Sequence, residues 1–410
     1  MKDAAALTSW LAALDGIGVD PDGAVTRLGY TDVEDAMHCA VAGMGESLGL
    51  SSQADSAGNT FVYNDCGEDE ATLIASHCDS VVQGGKYDGV AGVLAGLLVQ
   101  KWIAEAGLAI PLKVGIFRME ESSIFGQATV GSRLVTGKIS EDALKKARNA
   151  EGESLYEIMR GRGWRTAPAR ISGVRQYLEL HIEQGRVLES RGLEVGVLNS
   201  IAAPVRFRVT YTGRQDHSGA TPMDLRLDAL AGAAAFVLRL EALGRQEAKN
   251  ATVATVGVLH NTPNAFNVVP GMVVMGIDIR GIDVESRQRV VDGALAEAEA
   301  ISLERGLALT VEPVSASDPV ALDPGVITGL SRAAEALNIP FTVMPSGAGH
   351  DAMNFADICP VGMLFIPCRE GVSHNKDEYA SVEAIVTGAK VLFQYLRQEA
   401  ENQGGAHAGA

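Results

Sequence analysis

The chain contains 410 residues, with 34 Lys and Arg against 51 Asp and Glu, so its formal net charge is −17. Hydrophobic residues make up 47 % and charged residues 21 % of the sequence, which excludes a mainly disordered chain and predicts a folded protein with an ample core. No block of Lys or Arg is dense enough to neutralise phosphates, which argues against a nucleic-acid partner. An anionic substrate would have to be captured by local cations.

No feature of the sequence indicates a membrane or secreted protein. The longest apolar runs, Val90–Val99 and Ala229–Leu238, are about half a bilayer span. The N-terminal segment lacks the basic region and the small-residue cleavage site of a secretory signal. The five cysteines are scattered and form no CxxC pair, which favours reduced thiols over a disulfide framework. We therefore expect a cytoplasmic protein without a membrane partner.

Strands and helices alternate in the first half of the chain. Thr72–Ser76 is an apolar strand, Val90–Gly107 a small-residue buried helix, and Pro111–Met119 a second strand. This βαβ order predicts parallel strands with helices on the faces of the sheet. Further strands are predicted at Gln176–Glu183 and Val361–Pro367. Because ligands of such sheets bind beyond the carboxyl ends of the strands, the segments after these ends are where the chemistry is expected.

The order of predicted strands and helices changes near Pro204. The predicted order from there to Ala316 is strand, helix, strand, strand, helix, strand, which is that of a ferredoxin-like split βαβ unit. We therefore predict two domains within the α/β class. Residues 1–204 and 317–410 form the larger domain, and the α+β unit of residues 205–316 is inserted into it.

Three histidines and two carboxylates stand at or near the ends of the predicted strands. They are His77, Asp88, Glu121, His181 and His374. Each alone is a weak signal, because a polar turn, a surface charge or a core histidine would look the same. Together they suit two divalent ions that share one carboxylate, since clustered carboxylates repel one another unless a cation neutralises them. Zn²⁺ or Mn²⁺ would accept such ligands.

Six stretches of the sequence resemble the amidase/hydantoinase/carbamoylase family, which belongs to the aminoacylase-like two-metal metallopeptidases. In chain order they are SHCDSVVQGGKYDGVAGVLAG, MEESSIFG, LELHIEQG, DHSGATPMDLRLDAL, NVVPG with DIR, and SGAGHDA with CREGVSHNKDEY. The resemblance runs from about Gly58 to Tyr379. The motifs HIEQG, DHSGATPM and SGAGHD separate this family from ordinary di- and aminopeptidases of the superfamily.

The resemblance implies a two-metal catalytic domain with two divalent ions per subunit, zinc or manganese, with cobalt or nickel as alternatives. One ion would be bound by His77 and His181. The other would be bound by Glu121 and His374, and Asp88 would bridge the two ions.

The resemblance also implies catalytic roles for residues that are not ligands. Glu120 matches the general base, and Asp79 matches the carboxylate that orients His77. His217, in the inserted unit, matches the histidine that polarises the scissile carbonyl, although a hydrated surface turn is an alternative. His350, in SGAGHD, either lines the site or has a structural role.

A third implied group binds the carboxylate of the substrate. It consists of Gln184, Asn267 and Arg280. An arginine suits this role because its guanidinium is planar, bidentate and permanently charged. The alternative for Arg280 is a strand-end ion pair with Asp278 or Asp283.

The implied reaction is hydrolysis of the carbon–nitrogen bond of a ureido or amide group on a small carboxylic acid, such as an N-carbamoyl-L-amino acid, allantoate or ureidoglycolate. The implied assembly is a homodimer in which the inserted unit serves as a lid and dimerisation domain. The sequence departs from the family pattern at Arg118–Met119, Ser122–Ile124 and Arg186, positions that could alter the substrate pocket. A dipeptidase or aminoacylase of the same superfamily and a non-catalytic binding protein are the alternatives.

Overall fold

The computed structural model describes residues 2–64 and 70–407. The chain divides into two compact units, the first formed by residues 1–199, 321–344 and 350–410 and the second by residues 200–320 and 345–349. The second unit is therefore longer at both ends than the predicted insertion of residues 205–316. It also includes a short later segment that sequence patterning does not assign to it.

The α-helices of the described residues are, in order, α1 (Lys2–Leu14), α2 (Asp32–Ser47), α3 (Val90–Glu105), α4 (Val130–Val135), α5 (Glu141–Lys146), α6 (Leu155–Gly161), α7 (Val187–Arg191), α8 (Ala229–Glu247), α9 (Val284–Arg305), α10 (Pro324–Ala336) and α11 (Val382–His407).

The strands are β1 (Ser51–Ala54), β2 (Thr60–Tyr63), β3 (Ala71–His77), β4 (Leu112–Phe117), β5 (Val174–Ile182), β6 (Val195–Ile201), β7 (Ala203–Thr212), β8 (Asp216–His217), β9 (Val253–Thr262), β10 (Val268–Val269), β11 (Met272–Gly281), β12 (Ala308–Ala316), β13 (Val320–Ala321), β14 (Phe341–Ser346) and β15 (Val361–Ile366).

The large sheet has the strand order β1-β2-β4-β3-β5-β15-β6-β13, and β14 pairs with β6. The central strands β4, β3, β5 and β15 are parallel, as the βαβ pattern predicts. The flanking pairs β1–β2, β2–β4 and β15–β6 are antiparallel, which the pattern does not reveal. Every residue of β3 and β15 is buried, as expected for central strands covered on both faces.

Helix α3 packs tightly against the centre of this sheet. Thirteen of its residues are buried, all from Val90 to Gln100 together with Trp102 and Ile103. A Cβ atom at Gly92 would lie 2.0 Å from the carbonyl oxygen of Leu180 in β5, so only glycine permits this helix–strand distance. The close packing places the N terminus of α3 beside the carboxyl ends of β3 and β5.

The second unit contains β7, α8, β9, β11, α9 and β12 in the predicted order. Its four strands form an antiparallel sheet of order β12-β7-β11-β9, which is the arrangement of a split βαβ unit. Its hydrophobic core joins the sheet with α8 and α9 and includes Phe207, Tyr211 and Phe236. The strands β8 and β10 form a separate two-stranded ladder.

Among the described residues, no helix is long and apolar enough to cross a membrane. Cys39, Cys78, Cys359 and Cys368 are free thiols, whereas Cys66 lies outside the described residues. The last helix, α11, continues to His407.

Candidate metal centre

The five predicted metal ligands converge at the carboxyl ends of the parallel strands. His77 is the last residue of β3, His181 lies near the end of β5, and Asp88 lies just before α3. Glu121 and His374 follow β4 and β15. The parallel arrangement brings these strand ends to one edge of the sheet, although the residues are scattered over almost 300 positions of the chain.

The first group is formed by His77, Asp88 and His181, all three of which are buried. The Oδ1 atom of Asp88 lies 2.8 Å from Nε2 of His181 and 3.5 Å from Nε2 of His77. The ligand atoms of the group lie within 4.8 Å of one another. Two imidazole nitrogens and a carboxylate oxygen at this spacing are a suitable donor set for a divalent transition metal.

The second group uses the other oxygen of the same carboxylate. Oδ2 of Asp88 lies 3.4 Å from Nε2 of His374, and that nitrogen lies 3.1 Å from Oε1 of Glu121. These three ligand atoms also lie within 4.8 Å of one another. Because its two oxygens face different groups, Asp88 is suited to bridge two cations.

The charges in both groups stabilise one another strongly. Burial alone would lower the pKa of His77, but Asp79 and Asp88 raise it well above its usual value. Burial would raise the pKa of Asp88, but the facing histidines, His181 first, lower it well below the usual range. Hydrogen bonds to Asp88 and Glu121 raise the pKa of His374 to about 10. The carboxylates therefore create a strongly negative field around the imidazoles, which also favours a bound cation.

Glu120 lies beside the first group without belonging to it. Its Oε2 atom is 4.0 Å from Nε2 of His77, and the residue is 9 % exposed. Burial raises the pKa of Glu120 well above its usual value, although His77 acts in the opposite direction. A carboxyl group with a raised pKa is suited to accept and return a proton.

Asp79 contacts three parts of the centre with one carboxylate. Its Oδ1 atom lies 3.3 Å from Nδ1 of His77, consistent with the predicted orienting role. Oδ1 also accepts the backbone N–H of Glu120, and Oδ2 accepts that of Glu121, each at 3.0 Å. The sequence motif does not indicate these two backbone contacts, because they depend on the pairing of β3 with β4.

Three polar side chains outside the ligand groups hold Asp88. Gln184 Nε2 donates to Oδ2 of Asp88 at 2.8 Å, so this predicted substrate ligand contacts the bridging carboxylate in the structure. The Ser373 hydroxyl lies 2.9 Å from the same oxygen and 3.0 Å from Oε2 of Glu378. Glu378 in turn accepts the backbone N–H groups of Tyr87 and Asp88 at 2.8 and 3.0 Å. Sequence reasoning missed Ser373 and Glu378, although both lie in the CREGVSHNKDEY stretch.

His350 lies against the first group. It is 2 % exposed, and its ring centroid lies 4.6 Å from that of His181 and 5.7 Å from that of Phe365. Burial lowers the pKa of His350 well below its usual value, so the ring is neutral. His350 thus packs beside the imidazole of His181 without adding charge to the centre.

His217 and Asn267 are neighbours within the second unit. The backbone N–H of Ser218 donates to the carbonyl oxygen of Asn267 at 3.1 Å. Nδ1 of His217 accepts the backbone N–H groups of Gly219 and Ala220 at 3.0 and 3.1 Å. An accepting Nδ1 in a neutral imidazole places the proton on Nε2. The exposed Nε2–H is therefore oriented as a hydrogen-bond donor.

Arg280, also in the second unit, is held by Asp278. Its Nε and Nη2 atoms donate to the two carboxylate oxygens at 2.8 and 3.2 Å, and Arg206 Nε donates to Asp278 at 2.7 Å. Of the two alternatives for an ion pair, the structure thus shows Asp278. The side chain of Arg280 remains 32 % exposed, so its guanidinium is oriented but still accessible.

Comparison with known proteins gives consistent matches over nearly the whole chain. Residues 73–398 match Peptidase family M20/M25/M40. An N-carbamoyl-L-amino acid amidohydrolase of Geobacillus stearothermophilus is 38 % identical over 402 residues, which cover 96 % of this chain and 98 % of that protein. A ureidoglycolate hydrolase of Oryza sativa is 36 % identical, covering 91 % of this chain and 80 % of that protein.

Similarity extends to solved structures. A crystal structure of an amidase of the hydantoinase/carbamoylase family from Burkholderia multivorans superposes with a TM-score of 0.88 at 32 % identity. The superposition covers 96 % of this chain and 97 % of that one. The mixed α/β fold is thus shared with this family along nearly the whole chain.

Proposed function

The chain belongs to the amidase/hydantoinase/carbamoylase family within peptidase family M20/M25/M40, and we propose that it is an amidohydrolase acting on ureido or amide derivatives of small carboxylic acids. The observation that supports this most directly is the pair of ligand groups joined by the two oxygens of Asp88. The relatives named N-carbamoyl-L-amino acid amidohydrolase and ureidoglycolate hydrolase support the same substrate class.

We propose that two divalent ions are bound by the two groups described above. His77 and His181 would hold one ion, Glu121 and His374 the other, and Asp88 both. Bound ions of this kind polarise a carbonyl group and lower the pKa of water. The nitrogen and oxygen donors favour zinc or manganese, with cobalt or nickel also acceptable.

The protein's own residues supply proton transfer and orientation. Glu120 accepts a proton from the attacking water and returns it to the leaving nitrogen. It is suited to this role because it is a buried carboxyl group with a raised pKa. His217 donates from Nε2 to the scissile carbonyl as negative charge develops on its oxygen. Hydrolysis of an N-carbamoyl group would release the amine, carbon dioxide and ammonia.

The carboxylate of the substrate is the group we assign to Arg280, Asn267 and Gln184. Asp278 holds Arg280 in one orientation, which lowers the entropy cost of binding an anion. A substrate analogue without a carboxylate would leave these polar groups unpaired, so we expect strong selection against it. In the structure Gln184 donates to Asp88, so binding of a substrate by this residue requires its amide to turn.

We also propose a homodimer formed through the exposed edge strand β9. This strand ends the sheet of the second unit, and Val253, Val258 and Leu259 on it are 56 %, 46 % and 44 % exposed. It carries no Lys, Arg, Asp, Glu or Pro, the residues that normally protect an edge from pairing. The opposite edge, β12, contains both Glu312 and Pro313. A second copy of the chain is therefore the occupant we assign to β9, and the inserted unit then serves both as dimerisation domain and as lid.

A cytoplasmic location is part of the same proposal. The four described cysteines are free thiols, as is usual in a reducing compartment.

The test is ammonia release from a panel of N-carbamoyl-L-amino acids, allantoate, ureidoglycolate and free dipeptides. The protein is first treated with a chelator, and Zn²⁺, Mn²⁺, Co²⁺ or Ni²⁺ is then restored separately. We expect turnover of at least one ureido acid, dependent on the restored metal, and no cleavage of dipeptides. Hydrolysis of dipeptides alone would favour the peptidase alternative, and failure to bind any metal would reject the proposed enzyme.

A further inference from the structure

A short segment after β4, residues 118–121, carries the two carboxylates Glu120 and Glu121 into the candidate metal centre. Each of its four consecutive backbone N–H groups donates to a side-chain oxygen. The acceptors are, in order, Asn59 Oδ1, Glu34 Oε1, Asp79 Oδ1 and Asp79 Oδ2, at 3.0, 2.8, 3.0 and 3.0 Å. Side chains rather than a neighbouring strand therefore accept the backbone N–H groups of this segment.

The carbonyl groups of the segment are held as well. Those of residues 118, 119 and 120 accept the backbone N–H groups of Gly131, Val130 and Thr129 at 2.8, 2.9 and 2.8 Å. A Cβ atom at Gly131 would lie 2.2 Å from Asn59 Oδ1 and 2.6 Å from the backbone nitrogen of Arg118. The segment is thus enclosed on both sides.

Met119 is the strained position in this segment. Its φ angle is +50°, in the left-handed region that residues with a Cβ atom seldom adopt. Such a conformation persists only where surrounding contacts hold it. The backbone N–H of Met119 is held by its hydrogen bond to the side chain of Glu34. Met119 comes directly before Glu120 and Glu121 in the chain.

Glu34 is itself fixed in place. It is fully buried, and its Oε2 atom accepts Tyr30 N–H and Arg118 Nη1, each at 2.7 Å. Arg118 is 3 % exposed, donates from Nε to the Gly58 carbonyl at 2.6 Å, and pairs with Asp35 at 2.6 Å. Burial raises the pKa of Glu34 to about 7, while Arg118 acts in the opposite direction. The positive charge of Arg118 therefore favours the ionised form of Glu34, whose two oxygens only accept hydrogen bonds.

We propose that Glu34, together with Arg118, is a positioning residue for the reaction, which holds Met119 in the left-handed conformation and so directs the carboxylates of Glu120 and Glu121. Glu34 contacts no ligand atom of the metal groups. It acts through the backbone of a segment 85 positions away in the sequence. The effect of Glu34 on catalysis rests on the proposed amidohydrolase function. Its effect on the conformation of residues 118–121 does not.

The test uses Glu34→Gln in the full-length protein. The glutamine amide has one acceptor oxygen and one NH₂ group, so it cannot accept Met119 N–H, Tyr30 N–H and Arg118 together. We expect amide hydrogen exchange of the peptide that contains residues 118–121 to be about 10-fold faster in the metal-free protein. With metal and substrate, we expect kcat to fall about 100-fold with KM nearly unchanged, the effect of a misplaced catalytic group.

A second variant separates positioning from folding. Arg118→Met keeps both acceptor oxygens of Glu34 and removes the cation beside them, so we expect a smaller rise in exchange and a smaller loss of kcat than in Glu34→Gln. Asp323→Asn is the matched control, because Asp323 accepts the N–H of Val326 at 2.9 Å at the start of α10. We expect it to leave the exchange of residues 118–121 unchanged.

The hydrogen-exchange result decides the inference independently of turnover. Unchanged exchange of residues 118–121 in Glu34→Gln would overturn it, as would an equal change in Asp323→Asn. If the wild-type protein hydrolyses no ureido acid while exchange responds as expected, the proposed function fails and the positioning role of Glu34 stands.

Discussion

The carboxylate of Asp79 lies 3.3 Å from Nδ1 of His77, and both residues are buried. The same carboxylate accepts the backbone N–H groups of Glu120 and Glu121. One side chain therefore links the end of β3 to the segment after β4. The orientation of a proposed metal ligand and that of the proposed base cannot be changed independently.

This link predicts that Asp79→Asn weakens metal binding. An asparagine has a single acceptor oxygen, so its NH₂ group would face one of the two backbone N–H groups. We expect metal affinity to fall about 10- to 100-fold, measured by competition with a chelator. Asp142→Asn, at an exposed position of α5, is the control. An affinity equal to that of the wild type would contradict the orienting role of Asp79.

Glu120→Gln separates the proposed base from the ligands. The glutamine cannot accept a proton at neutral pH, so we expect kcat to fall at least about 100-fold. Metal content should stay the same, because Glu120 belongs to neither ligand group. Turnover and elemental analysis measure the two effects. Retained activity would remove Glu120 as the base, and loss of metal would make it a ligand.

Arg280→Ala tests the site for the substrate carboxylate. Loss of a charge-assisted hydrogen-bond pair costs about 2–3 kcal/mol, so we expect KM for a carboxylate substrate to rise roughly 30- to 150-fold. Arg280→Lys should restore only part of the affinity, because lysine lacks the bidentate geometry. The control is Arg208→Ala, at an exposed pair with Glu312. Equal KM values for wild type and Arg280→Ala would exclude Arg280 from binding the substrate.

Val258→Glu tests the proposed dimer. A glutamate on the uncharged edge β9 would introduce a charged side chain of the kind that prevents edge-to-edge pairing. We expect the mass measured by light scattering during gel filtration to fall from that of a dimer to that of a monomer. Val311→Glu makes the same change on the opposite edge, β12, and should leave the dimer intact. A monomeric wild-type protein would refute the assignment of β9.

The burial of His38 leads us to expect a pH dependence of stability that does not involve the metal centre. It is 3 % exposed, lies 2.8 Å from Thr60 Oγ1, and burial lowers its pKa well below the usual value. Below pH about 6.5 the unfolded chain therefore binds a proton that the folded protein does not. The contribution of His38 to the free energy of unfolding therefore decreases as the pH falls through this range, by up to about 1.4 kcal/mol per pH unit.

The variant His38→Gln removes this contribution. The difference in unfolding free energy between wild type and variant, obtained from urea denaturation at pH 5 to 8, should be largest at pH 8 and shrink towards pH 5. A constant difference for His38→Gln would mean that the ring binds a proton equally well in the folded and unfolded states, and that burial does not lower its pKa.

The sequence by itself determined the features that depend on local order. The alternation of apolar runs predicts the parallel core around β3 and β5, and the βαββαβ order predicts the fold of the inserted unit. The positions of His77 at a strand end and of Asp88 just before the next helix indicate a metal centre. Each of these signals lies within a few residues or within one repeat of the strand–helix pattern.

Only the tertiary structure decided which side chains support the centre. Glu34 accepts the backbone N–H of Met119, which is 85 residues away in the sequence. Glu378 accepts the backbone N–H of Asp88, which is 290 residues away. No spacing rule connects such positions, because the contact depends on how α2 and the segment after β15 pack against the sheet. The same is true of Gln184, whose amide contacts Asp88 in the structure. Sequence motifs can indicate the ligands, but the partners that orient them are fixed by packing between distant segments.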